Sequence, residues 1–387
     1  MTIFDEDIPE ITVAEDSQES ANQADSHSEP VAKRFAFVGV GAAGGRIVNE
    51  FFLKGYRKAV VMNTCLQDSA DLDDNLAFID MNIKGRNISG CGKDPTVSRA
   101  LLRDPRQRVE LTGHFKEIIG DQANYIFVCA GLGGGTGSGG GPELVSLIKE
   151  YLEDTGSTAK VGCILTLPQP QEGSRVAVNA LDALVAFKAL NPTPMLIIDN
   201  GRVGKMRGST VASLYSDANR DAALMLHSLN ELAAKPARQT FDGSDFGQLL
   251  NSGMITLGMG GVRDWSKGAD VLAKTILSLY QSATLADMDT STATQGVCVI
   301  AAGSNVYKSF SNEELMRGLD MLRNSSRCQT MMLHSGFYEI PDDRAADTLR
   351  VYVGLGGLQL NSDILKQLAK TGVVDFESKL ANFFGIK

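Results

Sequence analysis

The segment GLGGGTGSGGG at residues 131–141 constrains this 387-residue chain more than any other: only Leu132, Thr136 and Ser138 in it are not glycine. It follows the apolar run YIFVCA. Glycine costs on the order of 0.5–1 kcal/mol of backbone entropy where its freedom is not used. So dense a run reads as a collar of N–H donors for phosphate, formed by Gly133, Gly134, Gly135 and Gly137, with hydroxyls from Thr136 and Ser138. Pro142 is then expected in the first turn of the following helix.

A second glycine segment, GVGAAGG at residues 39–45, meets the pattern GxGxxG through Gly39, Gly41 and Gly44, between an apolar run and a helical pattern. There the backbone of Gly41, Ala42, Ala43, Gly44 and Gly45 can approach a phosphate at a helix start. On its own this segment also suits a nicotinamide dehydrogenase. Such an enzyme wants an acid at the end of its second strand for the ribose, and the run AVVMNT ends in Asn63 and Thr64. A Walker A loop is excluded because GxxxxGK[ST] does not occur.

Both loops sit in α/β grammar. RFAFVGV, KAVVMNT, NYIFVCA, KVGCILTL and PMLIIDN read as strands buried on both faces, alternating with helical patterns. In a parallel sheet of this kind ligands bind at the carboxyl ends of strands. From Thr210 to Lys235, apolar residues at Val211, Leu214, Tyr215, Ala218, Ala222, Met225, Leu229 and Leu232 hold a helical period. That helix would be roughly 36 Å long at the usual rise per residue and would form a spine. Beyond it, GVCVIAAGS, TMMLHSGFYEI and LRVYVGLGGLQL suggest a second sheet, preceded by the helix ADVLAKTILSLYQSATLA. The expected division is an acidic extension at 1–32, a nucleotide domain at 33–210, the central helix at 211–235, a smaller α/β domain at 236–360 and a terminal amphipathic stretch at 361–387.

Charge is concentrated at one end. Nine of the 46 acids and no Lys or Arg fall in residues 1–32, leaving 37 acids against 37 bases in the remainder. Such an arm cannot bury enough apolar area to order itself. No basic stripe marks a direct nucleic-acid surface. The six cysteines (Cys65, Cys91, Cys129, Cys163, Cys298 and Cys328) form no Cys-x-x-Cys pair and read as reduced core residues of a cytoplasmic protein. No leader-like segment and no uninterrupted apolar run of the ~18 residues needed for a membrane span is present.

These motifs, over roughly residues 34–360, resemble the tubulin/FtsZ family. GLGGGTGSG is similar to its signature GGGTGTG, GVGAAGG to its first phosphate loop and MNTCLQD to its second. GKDP, beginning at Gly92, stands at the third loop. LTLPQPQEG brings Glu172 onto the ribose-contacting glutamate, and IIDN brings Asn200 onto the sixth-loop asparagine. NTCLQD, LTLP, IIDN and the late VGLGGLQL resemble the plasmid- and phage-borne TubZ branch most. The chain departs from the pattern at Cys65, where FtsZ carries an acid, and at Val176, where an arginine is expected and Arg175 is one position early.

The resemblance implies a tubulin/FtsZ-like fold, GTP or GDP with Mg²⁺ as ligands, and head-to-tail filaments. Tyr215 and Asn219 are four apart, so they share a helix face, either in a packed seam or against a planar base. The resemblance implies the base, guanine. In TFDGSDFGQLL, Asp242 and Asp245 stand near a helix start, where Asp242 can serve as an N-cap. The resemblance implies that both acids act on the GTP of the next subunit, as the catalytic pair. It further implies movement of plasmid or phage DNA through an adaptor like the TubR protein of TubZ systems. FtsZ-like division and a phage spindle are the alternatives within the family. Division fits less well, because no DIPxFLR-like peptide follows the last strand pattern and the chain closes on FFGIK. TubZ proteins often end in a basic tail that meets their adaptor, whereas Lys366, Lys370, Lys379 and Lys387 are dispersed here. A filament that binds nucleotide without turning it over is a further alternative, and a dehydrogenase is a remote one.

Overall fold

The computed structural model describes residues 30–82, 90–207, 210, 213–237, 240–262, 271–282, 284–309, 311–325, 331–340 and 346–375. The acidic extension up to residue 29, Val211, Cys328, Lys379 and Lys387 lie outside the described residues.

The strands are β1 (Phe35–Val40), β2 (Ala59–Asn63), β3 (Ala77–Asp80), β4 (Tyr125–Gly131), β5 (Lys160–Leu167), β6 (Met195–Asp199), β7 (Met254–Val262), β8 (Met288–Asp289), β9 (Gln295–Gly303), β10 (Met332–Ile340), β11 (Leu349–Gly356) and β12 (Gln359–Leu360). The helices of the first half are α1 (Gly41–Leu53), α2 (Pro95–Arg103), α3 (Pro105–Ile118), α4 (Gly135–Thr155), α5 (Ser174–Leu190) and α6 (Asn200–Arg207). Those of the second half are α7 (Leu214–Leu232), α8 (Gly243–Leu250), α9 (Val271–Ser282), α10 (Ser304–Ser309), α11 (Asn312–Ser325) and α12 (Ser362–Gly372).

One ten-stranded sheet runs in the order β10-β9-β11-β7-β6-β5-β4-β1-β2-β3, and β8 and β12 form a separate pair. From β3 to β6 every neighbour is parallel. The order β3-β2-β1-β4-β5-β6 reverses between β1 and β4, so the connections leaving those strands diverge to opposite faces and open a crevice. Both glycine segments leave from that point.

The second sheet expected from sequence is instead an extension of the first. β7 pairs with β6 only at Met195↔Met254 and Leu196↔Ile255, and then carries β11, β9 and β10. Beyond that junction the strands part, and Leu285 fills the gap: its carbonyl accepts from Asp199 N–H at 2.9 Å and its N–H donates to Leu257 O at 3.0 Å. An apolar pattern specifies a buried strand but not its neighbour, so sequence could not separate the two arrangements.

Each sheet face carries its own core. Val38 and Val40 face the α4 and α5 side, while Phe35 and Phe37 face α1 and α7. Phe37 stacks on Phe51 with ring centroids 4.1 Å apart. α7 is 19 residues long, or roughly 29 Å, shorter than expected. Its Ala218, Ala222, Met225 and Leu229 share one cluster with β1 and β4 and with Leu257, Val299 and Tyr352 of the later strands. Asn230 pins its far end: Oδ1 accepts from Lys33 N–H at 2.8 Å, and Nδ2 donates to Lys33 O at 2.8 Å and to Tyr56 Oη at 3.1 Å.

α4 begins at Gly135, two turns before Pro142, which lies inside the helix rather than opening it. Close approach explains this use of poor helix formers. A Cβ on Gly139 would stand 1.9 Å from Pro95 O, and one on Gly137 would stand 2.4 Å from Gly131 O. Tertiary contact overrides propensity here. Gly139, Gly140 and Gly141 therefore serve packing, a use of the run that the reading of it as a phosphate collar did not foresee.

Candidate functional site

The crevice beyond β1 and β4 holds a cleft of about 350 Å³. Two helix starts form one end of it. α1 begins behind Val40 and α4 behind Gly134, and neither cap residue contributes a side-chain hydrogen bond. The first N–H groups of a helix have no intrahelical acceptor. Those of Gly41, Ala42 and Ala43, and of Gly135, Thr136 and Gly137, are thus left for an anion, and all six residues line the cleft with Gly134. Gly41 takes φ +74°, and a Cβ there would stand 3.2 Å from Thr136 Cβ, which is how closely the two loops meet. Thr64 Oγ1 lies 3.1 Å from Thr136 Oγ1, beside Cys91 Sγ at 3.5 Å and 3.4 Å respectively.

Six of the residues read from sequence as ligand contacts do not line the cleft. Gly44 and Gly45 are packed within α1, where a Cβ would come 2.2 Å from Cys129 O and 2.9 Å from Val61 Cγ1. Ser138 is buried away from the cleft, and its Oγ accepts from Gly133 N–H at 2.8 Å. Asn63 shapes the turn after β2: its Oδ1 accepts from Thr64 N–H at 2.8 Å and its Nδ2 donates to Asp68 Oδ2 at 3.0 Å. Gly92 has φ +55° at an exposed turn, and its neighbours Cys91 and Lys93 line the cleft in its place.

Glu172, Asn200, Tyr215 and Asn219 come together at the other end. Tyr215 Oη donates to Glu172 Oε1 at 3.4 Å; desolvation, and then the Glu172 carboxylate, push the phenol above its ordinary value. Asn200 and Asn219 are buried, and Asn200 Oδ1 has no hydrogen-bond partner among the described residues. A buried acceptor left unpaired costs about 1–3 kcal/mol. An aromatic ring beside an unpaired amide oxygen suits a planar base that carries N–H donors.

Sequence reasoning passed over Arg46, Asp68 and Lys93, which line the same cleft. The available signal was a cation beside each glycine turn: Arg46 follows GVGAAGG directly, and Lys93 sits inside GKDP. Lys93 O accepts from Arg175 Nε at 3.0 Å and from Asn179 Nδ2 at 2.9 Å. Arg175, one position early for the expected arginine, thus ties down this turn, while Val176 packs under Gly133.

Asp242 and Asp245 do not reach the cleft. They form a reciprocal cap on α8: Asp242 Oδ1 accepts from Ser244 N–H at 2.7 Å and from Asp245 N–H at 3.0 Å, and Asp242 N–H donates to Asp245 Oδ2 at 3.3 Å. Backbone N–H donors, with help from His334 and Lys33, hold the Asp242 carboxyl below its ordinary value, so it is charged at neutral pH. The α8 start lies against Ala32, before β1, whereas the cleft opens after β1. A six-residue parallel strand spans roughly 20 Å. Carboxylates and cleft are therefore at opposite ends of the sheet.

Uncapped helix starts at one end of the cleft, and an aromatic with amides at the other, define a nucleotide-binding α/β protein with the phosphates seated beyond β1 and β4. Residues 34–206 match the model of the Tubulin/FtsZ family, GTPase domain. The tubulin-like protein CetZ of Thermococcus kodakarensis is 26% identical over 329 residues, 83% of this chain and 82% of its own length. The GTPγS-bound protofilament of CetZ2 from Haloferax volcanii superposes with a TM-score of 0.74 at 21% identity, over 90% of this chain and 98% of its own. A GTPγS-form protofilament of TubZ from Bacillus thuringiensis serovar israelensis does so with a TM-score of 0.73 at 18% identity, over 93% and 96%. The chain has the tubulin/FtsZ fold and is a GTPase. CetZ and TubZ are about equally alike to it in fold, so the comparisons support a tubulin/FtsZ-like cytoskeletal GTPase and single out neither branch. No helix among the described residues is long and apolar enough to cross a membrane.

Proposed function

We propose that this chain assembles head to tail into GTP-dependent filaments, and that each active site is completed by the next subunit. The observation that carries this reading is the placement of the cleft and the Asp242/Asp245 pair at opposite ends of β1. One interface of a head-to-tail polymer brings the two together, and a heterologous contact of this kind repeats without closing. In this reading Gly41, Ala42, Ala43, Gly134, Gly135, Thr136 and Gly137 hold the phosphates, Glu172 the ribose, and Asn200, Tyr215 and Asn219 the guanine. Asp242 and Asp245 orient the attacking water. Catalysis then consists of positioning and charge stabilisation around the phosphoryl group.

No group of three or more His, Cys, Asp or Glu side chains among the described residues is set to hold a metal by itself. A Mg²⁺ carried by a nucleotide takes few protein ligands and keeps phosphate and water for the rest. The hydroxyls of Thr64 and Thr136 and the Asp68 carboxylate fit that donor set. Bound there, the ion would neutralise developing phosphate charge.

The cargo in this reading is plasmid or phage DNA, held through a DNA-binding adaptor resembling TubR; its support is the TubZ-like set NTCLQD, LTLP, IIDN and VGLGGLQL. Phosphate release from GTP, measured against protein concentration, is expected to rise more steeply than in proportion; strict proportionality at every concentration sinks the shared site. Deleting the gene is expected to raise the loss rate of the replicon that carries it. Filamentous undivided cells with normal replicon inheritance would instead assign the filament to division.

A further inference from the structure

We propose that His334 is a positioning residue for hydrolysis: it fixes the Asp245 carboxylate in the orientation presented to the nucleotide of the next subunit. The inference rests on the reading of Asp242 and Asp245 given above. His334 lies on β10, the edge strand of the large sheet, and is only 8% exposed. Its Nδ1 stands 2.9 Å from Asp245 Oδ1, and its Nε2 stands 3.0 Å from Gln295 Oε1 on β9. The other Asp245 oxygen, Oδ2, accepts from Asp242 N–H at 3.3 Å. Each oxygen of Asp245 is therefore held by one partner, and the carboxylate plane is set from two sides.

The chemistry of the ring makes the arrangement one-directional. A neutral imidazole has one N–H and one acceptor nitrogen. Against a carboxylate, Nδ1 must carry the proton, and Gln295 satisfies Nε2 in either orientation of its amide. The Nδ1–H to Oδ1 bond is thus present whether the ring is neutral or charged, and Gln295 fixes the ring plane from behind. A carboxylate offers about four lone-pair sites. His334 and Asp242 N–H use two and leave two for water or substrate. Capping alone does not call for this residue, because α8 is already capped by Asp242 Oδ1. An apolar side chain would serve the buried position on β10 better than an imidazole, which needs both nitrogens satisfied.

The test uses three full-length variants: His334→Leu, His334→Asn and Asp245→Ala. GTPγS affinity, pelleting with GTPγS, thermal melting and steady-state hydrolysis are measured on each. His334→Leu is expected to lower kcat about 10- to 100-fold, as misplaced reacting groups do, while GTPγS affinity and the critical concentration stay at wild-type values. His334→Asn, whose amide can donate in place of Nδ1–H, is expected to recover most of the lost rate. If His334→Leu melts before the assay temperature, His334→Asn carries the test. A folded His334→Asn as slow as Asp245→Ala overturns the proposal, as does a His334→Leu that hydrolyses at the wild-type rate while Asp245→Ala does not. Wild-type turnover by Asp245→Ala overturns the underlying reading of the acids instead.

Discussion

Gly139 and Gly134 stand in the same run and look alike in sequence, yet they do different things. A Cβ at Gly139 would meet Pro95 O at 1.9 Å, a backbone atom that cannot turn aside, so α4 and α2 would have to separate. Gly139→Ala is expected to cost about 2–3 kcal/mol, the upper range for overpacking, seen as a lower urea midpoint. Gly134 has φ −74° and nothing within 4 Å of a Cβ. Gly134→Ala is expected to keep stability within about 0.5 kcal/mol, as surface changes do, but to weaken GTP binding, because the added methyl enters the cleft. Equal destabilisation by the two would show that the run has a single role. The ambiguity explains why sequence reading placed the helix start at Pro142: a phosphate collar and a close helix crossing both demand glycine, and only the neighbours tell them apart.

α8 poses the same question at the scale of an element, because its first-turn acids cap the helix whether or not they act in hydrolysis. Asparagine caps as well as aspartate. Asp242→Asn is therefore expected to melt within about 3 °C of wild type while kcat falls by about 100-fold, the scale of a misplaced reacting group. Unchanged turnover would reduce Asp242 to a cap. The pH behaviour gives an independent check. Asp242 has its folded value lowered, first by Asp245 N–H and then by Ser244 N–H, so its charge stabilises the fold above the ordinary value of 3.8. That contribution is lost as pH falls through the folded value. Wild type should lose stability on acidification from pH 5 to about pH 3 that Asp242→Asn does not lose, measured by melting at both pH values. The acids were legible in TFDGSDFGQLL because a cap motif is local. His334 was not, since it is distant in sequence and only the strand order of the sheet brings β10 against the start of α8. Lys93 reaches the cleft by the path of its turn, which no periodicity encodes, and Arg46 reaches it from α1.

For the whole molecule, the separation of cleft and carboxylates predicts complementation between two inactive proteins. The fold class followed from alternating buried runs, and the crevice from the strand order around β1 and β4; subunit cooperation is the consequence that neither half of the site reveals alone. Asp242→Ala/Asp245→Ala keeps an intact cleft but offers the next subunit no carboxylates. A variant with a blocked cleft, such as Gly41→Val, keeps its acids but holds no nucleotide; a Cβ at Gly41 already sits 3.2 Å from Thr136 Cβ at φ +74°. Alone, each should release phosphate slowly. Mixed in equal amounts, an active pair forms whenever the cleft of the first meets the acids of the second, in about a quarter of random head-to-tail contacts. Phosphate release by the mixture should therefore rise well above the sum of the two, up to about a quarter of the wild-type rate at the same total concentration, and should fall away on dilution. A mixture no faster than the sum, under conditions where both proteins co-pellet, would mean that the acids serve the nucleotide of their own subunit. The distance between α8 and the cleft would then have to close by a rearrangement of the sheet itself.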